Sequence, residues 1–266
     1  MIENARREFD MPFVSVDGLK TFYDARGEGK PLVLVHGAGG ASTYWFNQLS
    51  GLSDGLRVIA IDLPGHGKSE PLKEKPSVEL YAKHVDDFIK GMKLGKVVLC
   101  GHSMGGWIVQ QIVLEHPELL EKLIIVDSST SFPPRTGSPD SFRRGASLDA
   151  NTLAASLFSQ KTLRKTDAAL LLRQIRGDMD PVSALNVLMR DFALGGAGDF
   201  TGRLKNIDVP TLIVHGADDM IPTSLAKHLH ENIKGSRLVI IPDAGHMVMM
   251  EKPDEFNNAV MRFVKS

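Results

Sequence analysis

The chain has 266 residues, enough for one large α/β domain or for a domain that carries a sizeable insertion. Its 31 Lys and Arg residues nearly balance 32 Asp and Glu residues, and a formal net charge of -1 gives no reason to expect nucleic acid or an anionic membrane as a partner. A single cysteine, Cys100, excludes an internal disulfide framework and a cysteine-rich metal cluster.

The first residues, MIENARREFDMPF, carry charges where a signal peptide needs a continuous apolar segment. No apolar run in the chain approaches the length of a membrane span. We therefore expect a soluble, cytoplasmic protein.

Short apolar runs alternate with helical patterns along the chain, which predicts a mostly parallel sheet covered by helices on both faces. Asp17-Gly18 lies between the first two runs and is a hairpin signal, so the sheet should begin antiparallel. The predicted strands are Phe13–Val16, Leu19–Ala25, Pro31–His36, Arg57–Asp62, Lys96–Cys100, Lys122–Asp127, Pro210–His215 and Arg237–Ile241.

Helices are predicted after Ser77, a favourable N-cap, and near Pro253. Between about Phe132 and Arg203, the irregular stretch SFPPRTGSPDSF is followed by three helix-like stretches with no strand between them. We expect an all-helical cap at residues 132–205, inserted into a core formed by residues 1–131 and 206–266. Such an insertion would cover the strand ends where ligands bind in open α/β sheets.

Ser103 lies between Gly101 and Gly105, after the strand KVVLC and before a helical pattern that ends ahead of Pro117. The Gly-x-Ser-x-Gly spacing in this context predicts a sharp strand-to-helix turn. Glycines at both positions remove Cβ atoms that would collide when strand and helix close together. The next amide, that of Met104, would be free at the helix N-terminus to donate to a negatively charged oxygen.

A serine hydroxyl also needs a base, an orienting acid and a second oxyanion donor to act as a nucleophile. His246 follows the last strand, Asp219 follows the strand PTLIVH, and Ala38 lies in HGAGG after the strand PLVLVH. The chain order Ser103, Asp219, His246 is the one expected when a Gly-x-Ser-x-Gly turn carries the nucleophile.

Five motifs in order make the sequence resemble the α/β-hydrolase superfamily, in its serine esterase, lactonase and haloperoxidase-like branch with a helical cap. They are HGAGG, DLPGHGKS, GHSMGG, GADD and GHMVMMEKPDEF. The resemblance implies a mostly parallel eight-stranded sheet, Ser103 as nucleophile, His246 as base and acid, an aspartate of GADD as orienter, and the Ala38 and Met104 amides as oxyanion donors.

The acid loop departs from the usual pattern of similar proteins. The acid is usually third after the glycine, as in Gly216 to Asp219, and a proline usually follows the acid four residues later, as in Asp218 to Pro222. We choose Asp219, because the glycine ends the strand and fixes the geometry more directly, and keep Asp218 as the alternative.

The substrate pocket is less well marked than the triad. Met247, next to His246, and Trp45, after the oxyanion loop, are the candidates for its wall, although both could equally pack in the core. His36, His66, His102 and His215 lie beside the motifs, and we expect them to support the site through hydrogen bonds. No metal-ligand spacing and no phosphate-binding loop is present, so we expect neither a metal nor a cofactor.

The function we expect from these residues is hydrolysis of carboxylic esters of small to medium acyl groups through an acyl-enzyme on Ser103, by a carboxylesterase that is a monomer or a homodimer. A lactonase or a carbon–carbon bond hydrolase of the meta-cleavage product type would use the same triad. A non-catalytic small-molecule receptor is the alternative from another class. The site supports a hydrolase, whereas the choice of ester rests on analogy.

Overall fold

The computed structural model describes residues 12–130, 150–177, 186–188, 190–191 and 199–266. Its strands are β1 Phe13–Val16, β2 Leu19–Arg26, β3 Pro31–Val35, β4 Arg57–Ile61, β5 Val97–His102, β6 Leu120–Val126, β7 Thr211–Gly216 and β8 Arg237–Ile241. They form one sheet in the order β1-β2-β4-β3-β5-β6-β7-β8. β2 pairs antiparallel with β1 and β4, and all other pairs are parallel. The predicted α/β-hydrolase fold is confirmed.

The antiparallel start of the sheet follows from the two residues between β1 and β2. Asp17 and Gly18 have φ values of 48° and 80°. Two consecutive residues with positive φ form the turn that matches the twist of a two-residue hairpin. The hairpin signal of the sequence is therefore confirmed.

Strand β5 extends further than its sequence suggests, to His102 instead of Cys100. Gly101 marks a turn when the sequence is considered alone, but it pairs with Val35 of β3 and with Ile125 of β6. Hydrogen bonds from both neighbouring strands keep the backbone extended up to the residue before Ser103. Ser103, the candidate nucleophile, is therefore the residue directly after the end of β5.

The sheet separates two apolar clusters, since successive side chains of a strand point to opposite faces. One cluster contains side chains of α2 Val78–Gly91, α3 Met104–Glu115 and α7 Thr223–Asn232. The other contains side chains of α1 Phe46–Gly51, α8 Val248–Glu251 and α9 Pro253–Lys265. Ser77 caps α2, as predicted, because its side chain accepts a hydrogen bond from Leu80 N. Within the described ranges, short 3₁₀ helices occupy Ser42–Trp45, Pro117–Leu119 and Thr201–Asn206.

Within the predicted cap, the described helices are α4 Ala150–Leu157, α5 Gln160–Leu163 and α6 Ala168–Arg176. Ala154 of α4 and Leu171 of α6 are buried in the same cluster as α1 and α9, so these helices pack on that side of the core. The predicted irregular stretch SFPPRTGSPDSF lies outside the described residues. The boundaries of the cap remain a prediction.

None of the described helices combines the length and the apolar character needed to cross a lipid bilayer.

Candidate active site

Ser103 lies in a tight turn between β5 and α3, with φ 53° and ψ -117°. A residue with a side chain rarely adopts this conformation, which costs about 1–3 kcal/mol. Its neighbours hold it there, because Ser103 N donates to Val126 O at 2.9 Å and Ser103 O accepts from Gly106 N and from Ser128 Oγ, both at 2.8 Å. The turn places Ser103 between the end of β5 and the first residue of α3.

The two glycines of the motif are required by backbone packing. A Cβ on Gly101 would overlap the carbonyl of Gly105, and a Cβ on Gly105 would lie 2.6 Å from the carbonyl oxygen of His36 and closer still to that of Val35. Backbone atoms of the central sheet have no room to move aside. Glycine is therefore needed at both positions of the Gly-x-Ser-x-Gly pattern for the steric reason that the sequence predicts.

Ser103, His246 and Asp219 are joined by two hydrogen bonds. His246 Nε2 lies 2.9 Å from Ser103 Oγ, and His246 Nδ1 lies 2.9 Å from Asp219 Oδ1. Asp219 Oδ1 also accepts from Ile221 N at 2.9 Å. Burial would raise the pKa of Asp219, but the facing rings of His246 and His215 and the Ile221 amide hold that pKa below its ordinary value. A charged carboxylate therefore orients the histidine ring.

Asp218 is exposed, and its side chain takes no part in these hydrogen bonds. Its backbone N–H donates to Ala244 O at 2.8 Å. The structure thus brings Asp219, and not Asp218, to His246. The distance from the glycine determines this outcome, because Gly216 is the last residue of β7 and is itself pressed against the carbonyl oxygens of Ala244 and Gly245.

The amides of Ala38 and Met104 lie where the sequence predicts oxyanion donors. Met104 is the first residue of α3, so its N–H has no partner within the helix and lies at the positive end of the helix dipole. Ala38 lies in the loop after β3, and its carbonyl accepts from Tyr44 Oη at 3.2 Å. Neither amide donates a hydrogen bond to any residue that the structure describes.

Asp127 is a buried residue that the sequence analysis did not single out. Its carboxylate accepts from Gly216 N at 2.8 Å and from Val248 N at 3.2 Å, and these two amides flank the loops of Asp219 and His246. Burial and the neighbouring Asp219 carboxylate raise the pKa of Asp127 well above its ordinary value. The sequence signal that marks Asp127 is its position directly after β6, because the other candidate site residues also follow the ends of β3, β5 and β7.

The four flanking histidines are buried and hydrogen-bonded, as expected of supporting residues. His102 Nε2 lies 2.7 Å from the His246 carbonyl oxygen, and His36 Nε2 accepts from Leu63 N at 3.0 Å. Burial lowers the pKa of His36 and of His102 to about 3. His66 Nε2 lies 2.7 Å from a carboxylate oxygen of Asp191, and His215 Nε2 lies 3.0 Å from the Ile221 carbonyl oxygen.

Met247 and Trp45, the candidates for the pocket wall, have no accessible surface and pack in the apolar cluster around α1 and α9. A cavity of about 580 Å³ lies between β2, the loop after β4 and α6, and neither residue lines it. Their role in a substrate pocket stays a prediction that this placement does not support. Cys100 is also fully buried, and burial raises the pKa of its thiol.

Asp127, His215 and Asp219 each offer one ligand atom, and these atoms lie within 4.8 Å of one another, close enough for a metal ion. The same carboxylates already accept hydrogen bonds from His246 and from the amides of Gly216 and Val248. Asp219 Oδ2 and His215 Nδ1, 3.6 Å apart, have no hydrogen-bond partner among the described residues, and the expectation of no metal and no cofactor stays a prediction.

The chain belongs to the alpha/beta hydrolase family, which it matches over residues 32–259. Its relatives include hydrolases of several kinds. It is 31% identical, over 95% of this chain and 90% of the relative, to a 2-hydroxy-6-oxo-6-(2'-aminophenyl)hexa-2,4-dienoic acid hydrolase of Metapseudomonas resinovorans. Among solved structures, it is similar to a thermophilic esterase of Thermogutta terrifontis, with a TM-score of 0.80, 26% identity and 96% of each chain covered. It is also similar to an N-acyl homoserine lactone degrading enzyme, with a TM-score of 0.81, 27% identity and coverage of 95% of this chain and 100% of that one.

Proposed function

We propose that this protein is a serine hydrolase that cleaves carboxylic esters of small to medium acyl groups through an acyl-enzyme on Ser103. The observation that carries the proposal is the hydrogen-bonded chain from Ser103 through His246 to the buried Asp219. Nucleophile, base and orienting acid are thus within hydrogen-bond reach of one another, as nucleophilic catalysis requires.

In the first half of the reaction, Ser103 Oγ attacks the ester carbonyl while His246 Nε2 takes its proton. The carbonyl electron pair moves to the oxygen, and the amides of Ala38 and Met104 donate to the resulting oxyanion. The tetrahedral intermediate collapses, the C–O bond to the alcohol breaks, and His246 returns the proton to the leaving alcohol. The acyl group then remains on Ser103.

In the second half, water attacks the acyl-enzyme and gives one proton to His246. The intermediate releases the carboxylic acid, and the proton returns to Ser103 Oγ. Throughout the cycle Asp219 holds the imidazole ring by Nδ1 and stabilises its positive charge. The substrate is therefore an ester together with water, with no cofactor.

A second candidate is hydrolysis of a lactone or of a carbon–carbon bond in a meta-cleavage product by the same triad. The relatives favour it, because one is a hydrolase of a dienoic acid and another degrades N-acyl homoserine lactones. The esterase of Thermogutta terrifontis supports the ester proposal to a similar degree. Substrate comparison is therefore the experiment that separates the two.

The first experiment measures hydrolysis of p-nitrophenyl esters from acetate to laurate by the wild type, by Ser103→Ala and by Ser50→Ala. Ser50 is an exposed serine of α1 that serves as the matched control. Removal of the nucleophile should lower kcat by about 10⁶, whereas Ser50→Ala should not change it. The chain length of the best substrate would then give the size of the acyl pocket.

Turnover that survives in Ser103→Ala would contradict the proposal. A wild type that cleaves no ester but opens an N-acyl lactone or cleaves a ring-cleavage diketone would establish the second candidate. Binding of a small molecule without turnover of any of these substrates would point to a receptor.

We also propose a cytoplasmic location, since the single cysteine fits a reducing compartment, and a monomeric or homodimeric state. Size-exclusion chromatography with light scattering would measure that state.

A further inference from the structure

Asp191 lies within the predicted cap, yet its side chain is fully enclosed and contacts the core. Its Oδ2 accepts from Gly39 N at 2.8 Å and lies 2.7 Å from His66 Nε2. Its Oδ1 lies 3.1 Å from a terminal nitrogen of Arg190 and 3.5 Å from Tyr81 Oη. One carboxylate from the cap thus connects two loops at the C-terminal ends of β3 and β4.

The carboxylate of Asp191 is charged despite its burial. Desolvation would raise its pKa, but the facing His66 ring, the Gly39 amide and the Arg190 guanidinium together hold that pKa below the ordinary value. A buried charge costs several kcal/mol unless donors satisfy it, as they do here. Hydrogen bonds to a charged acceptor are also about twice as strong as neutral ones, so the Gly39 amide is held firmly.

The Gly39 amide belongs to the same peptide group as the Ala38 carbonyl, and that group is planar. Asp191 therefore fixes one end of this peptide, and Tyr44 Oη, 3.2 Å from the Ala38 carbonyl oxygen, fixes the other. Only glycine fits well at position 39, since its φ is 65° and a Cβ there would lie 2.8 Å from Cβ of Leu188. The Ala38 N–H belongs to the preceding peptide group, whose carbonyl, that of Gly37, accepts from Gly40 N at 3.2 Å and lies 2.8 Å from His36 Nδ1. Asp191 thus holds the middle of a turn from Gly37 to Gly40 that presents this N–H.

We propose that Asp191 is a positioning residue of the oxyanion hole: its hydrogen bond to Gly39 stabilises the turn from Gly37 to Gly40 and thereby the direction of the Ala38 amide within it, so the cap completes the catalytic site as well as covering it. The inference rests on the proposed function, because the Ala38 amide has this purpose only if Ser103 attacks a carbonyl. Without the Asp191 hydrogen bond, the Ala38 amide would be held less firmly towards the oxyanion.

The test compares Asp191→Ala and Asp191→Asn with Asp167→Ala in the full-length protein. Asp167 is a suitable control, because it is also an aspartate of the predicted cap whose carboxylate accepts backbone amides, those of Ala169 and Leu170, but it does not contact the oxyanion loop. Asparagine at position 191 can still accept from Gly39 N through its amide oxygen, although without charge. Its effect should therefore be smaller than that of alanine.

Two quantities are measured for each variant, the steady-state kcat and KM on the best p-nitrophenyl ester and the inhibition constant of an alkyl trifluoromethyl ketone. Ser103 Oγ adds to the ketone carbon, the hydroxyl proton passes to His246, and the carbonyl electron pair becomes an oxyanion in the hole. This stable adduct therefore reports on the oxyanion donors without a leaving group.

Loss of an oxyanion donor typically costs about 10²–10³ in kcat, and a displaced donor should cost less, about 10–100-fold in Asp191→Ala. KM should change less than about 3-fold, because the donor acts on the transition state, and the inhibition constant should rise in proportion to the loss of kcat/KM. Asp167→Ala should lower the melting temperature slightly and leave kcat at the wild-type value.

An Asp191→Ala protein that folds, melts earlier and yet keeps the wild-type kcat and inhibition constant would overturn the inference, since Asp191 would then only stabilise the fold. If Asp191→Ala does not fold, Asp191→Asn decides by the same two readouts. A wild type that neither cleaves esters nor forms the ketone adduct would refute the proposed function and the inference together. An active wild type with unaffected Asp191 variants would refute the inference alone.

Discussion

The substitution Asp219→Asn tests the electrostatic role of the buried carboxylate with little change of shape. Asp219 Oδ1 accepts both from His246 Nδ1 and from Ile221 N, and an asparagine amide oxygen at the same place could accept both bonds. The variant would therefore keep the ring in place and lose mainly the negative charge. The expected loss of activity then measures how much that charge stabilises the imidazolium.

The magnitude follows from the geometry. Two unit charges 2.9 Å apart, the distance from His246 Nδ1 to Asp219 Oδ1, attract each other by about 6 kcal/mol at an effective dielectric constant of about 20. Each 1.36 kcal/mol is about tenfold in rate, so loss of the full charge would cost about 10⁴. The amide oxygen of asparagine retains part of the attraction, and we expect a loss of about 10³–10⁴ in kcat.

The assay is the initial rate of p-nitrophenyl ester hydrolysis at neutral pH, with a circular dichroism spectrum and a melting curve to show that the variant is folded. Asp218→Asn is the matched control, because Asp218 is the adjacent residue and is exposed. Its activity should stay within about twofold of the wild type, as for most surface substitutions. A folded Asp219→Asn within tenfold of the wild type, or an equal loss in Asp218→Asn, would refute the reasoning.

Two further predictions concern the fold that holds the site. Gly105→Ala should abolish activity and lower the free energy of unfolding in urea by more than about 3 kcal/mol, because its Cβ would overlap carbonyl oxygens of the central sheet. The control is Gly91→Ala, which should leave the free energy of unfolding equal or slightly higher, because no atom lies within 4 Å of its Cβ position. Equal stability of the two variants would contradict the steric argument. The free energy of unfolding should also fall as the pH is lowered from 6.5 towards 3. Burial lowers the pKa of His36 and of His102 to about 3, so between these pH values only the unfolded chain takes up protons at the two histidines. The expected decrease approaches about 1.4 kcal/mol per pH unit for each histidine, and a free energy of unfolding that stays constant between pH 7 and pH 5 would show that these rings are protonated in the folded protein.

The sequence predicts those features of this site that depend on local pattern. Gly101, Ser103 and Gly105 lie at one turn between a strand and a helix. The neighbours that leave no room for a Cβ at either glycine belong to strands and a helix that the sequence pattern predicts. The same holds for Asp219, whose distance from Gly216 places it opposite His246. The sequence pattern ends β5 two residues too early, because pairing with β3 and β6 keeps Gly101 and His102 extended and no local pattern records that pairing.

Asp191 and Asp127 could not be recognised in the same way. Asp191 bonds to His66, which is 125 positions away in the chain, and its own neighbours form an ordinary helical pattern. Asp127 resembles any strand-ending aspartate until the amides of Gly216 and Val248 are placed beside it. Such contacts depend on the packing of distant segments, and a single sequence does not specify which segments meet.

The two hydrogen bonds accepted by Asp127 also bear on how the molecule could be rebuilt. Because the loops of Asp219 and His246 are both fastened to this one carboxylate, the chain between them, including α7 and β8, does not have to set their separation by itself. New chain termini or an inserted peptide at the exposed Lys234–Gly235 turn should leave the spacing of acid and base intact. This segment is therefore a natural point for circular permutation or for grafting a second module onto the enzyme.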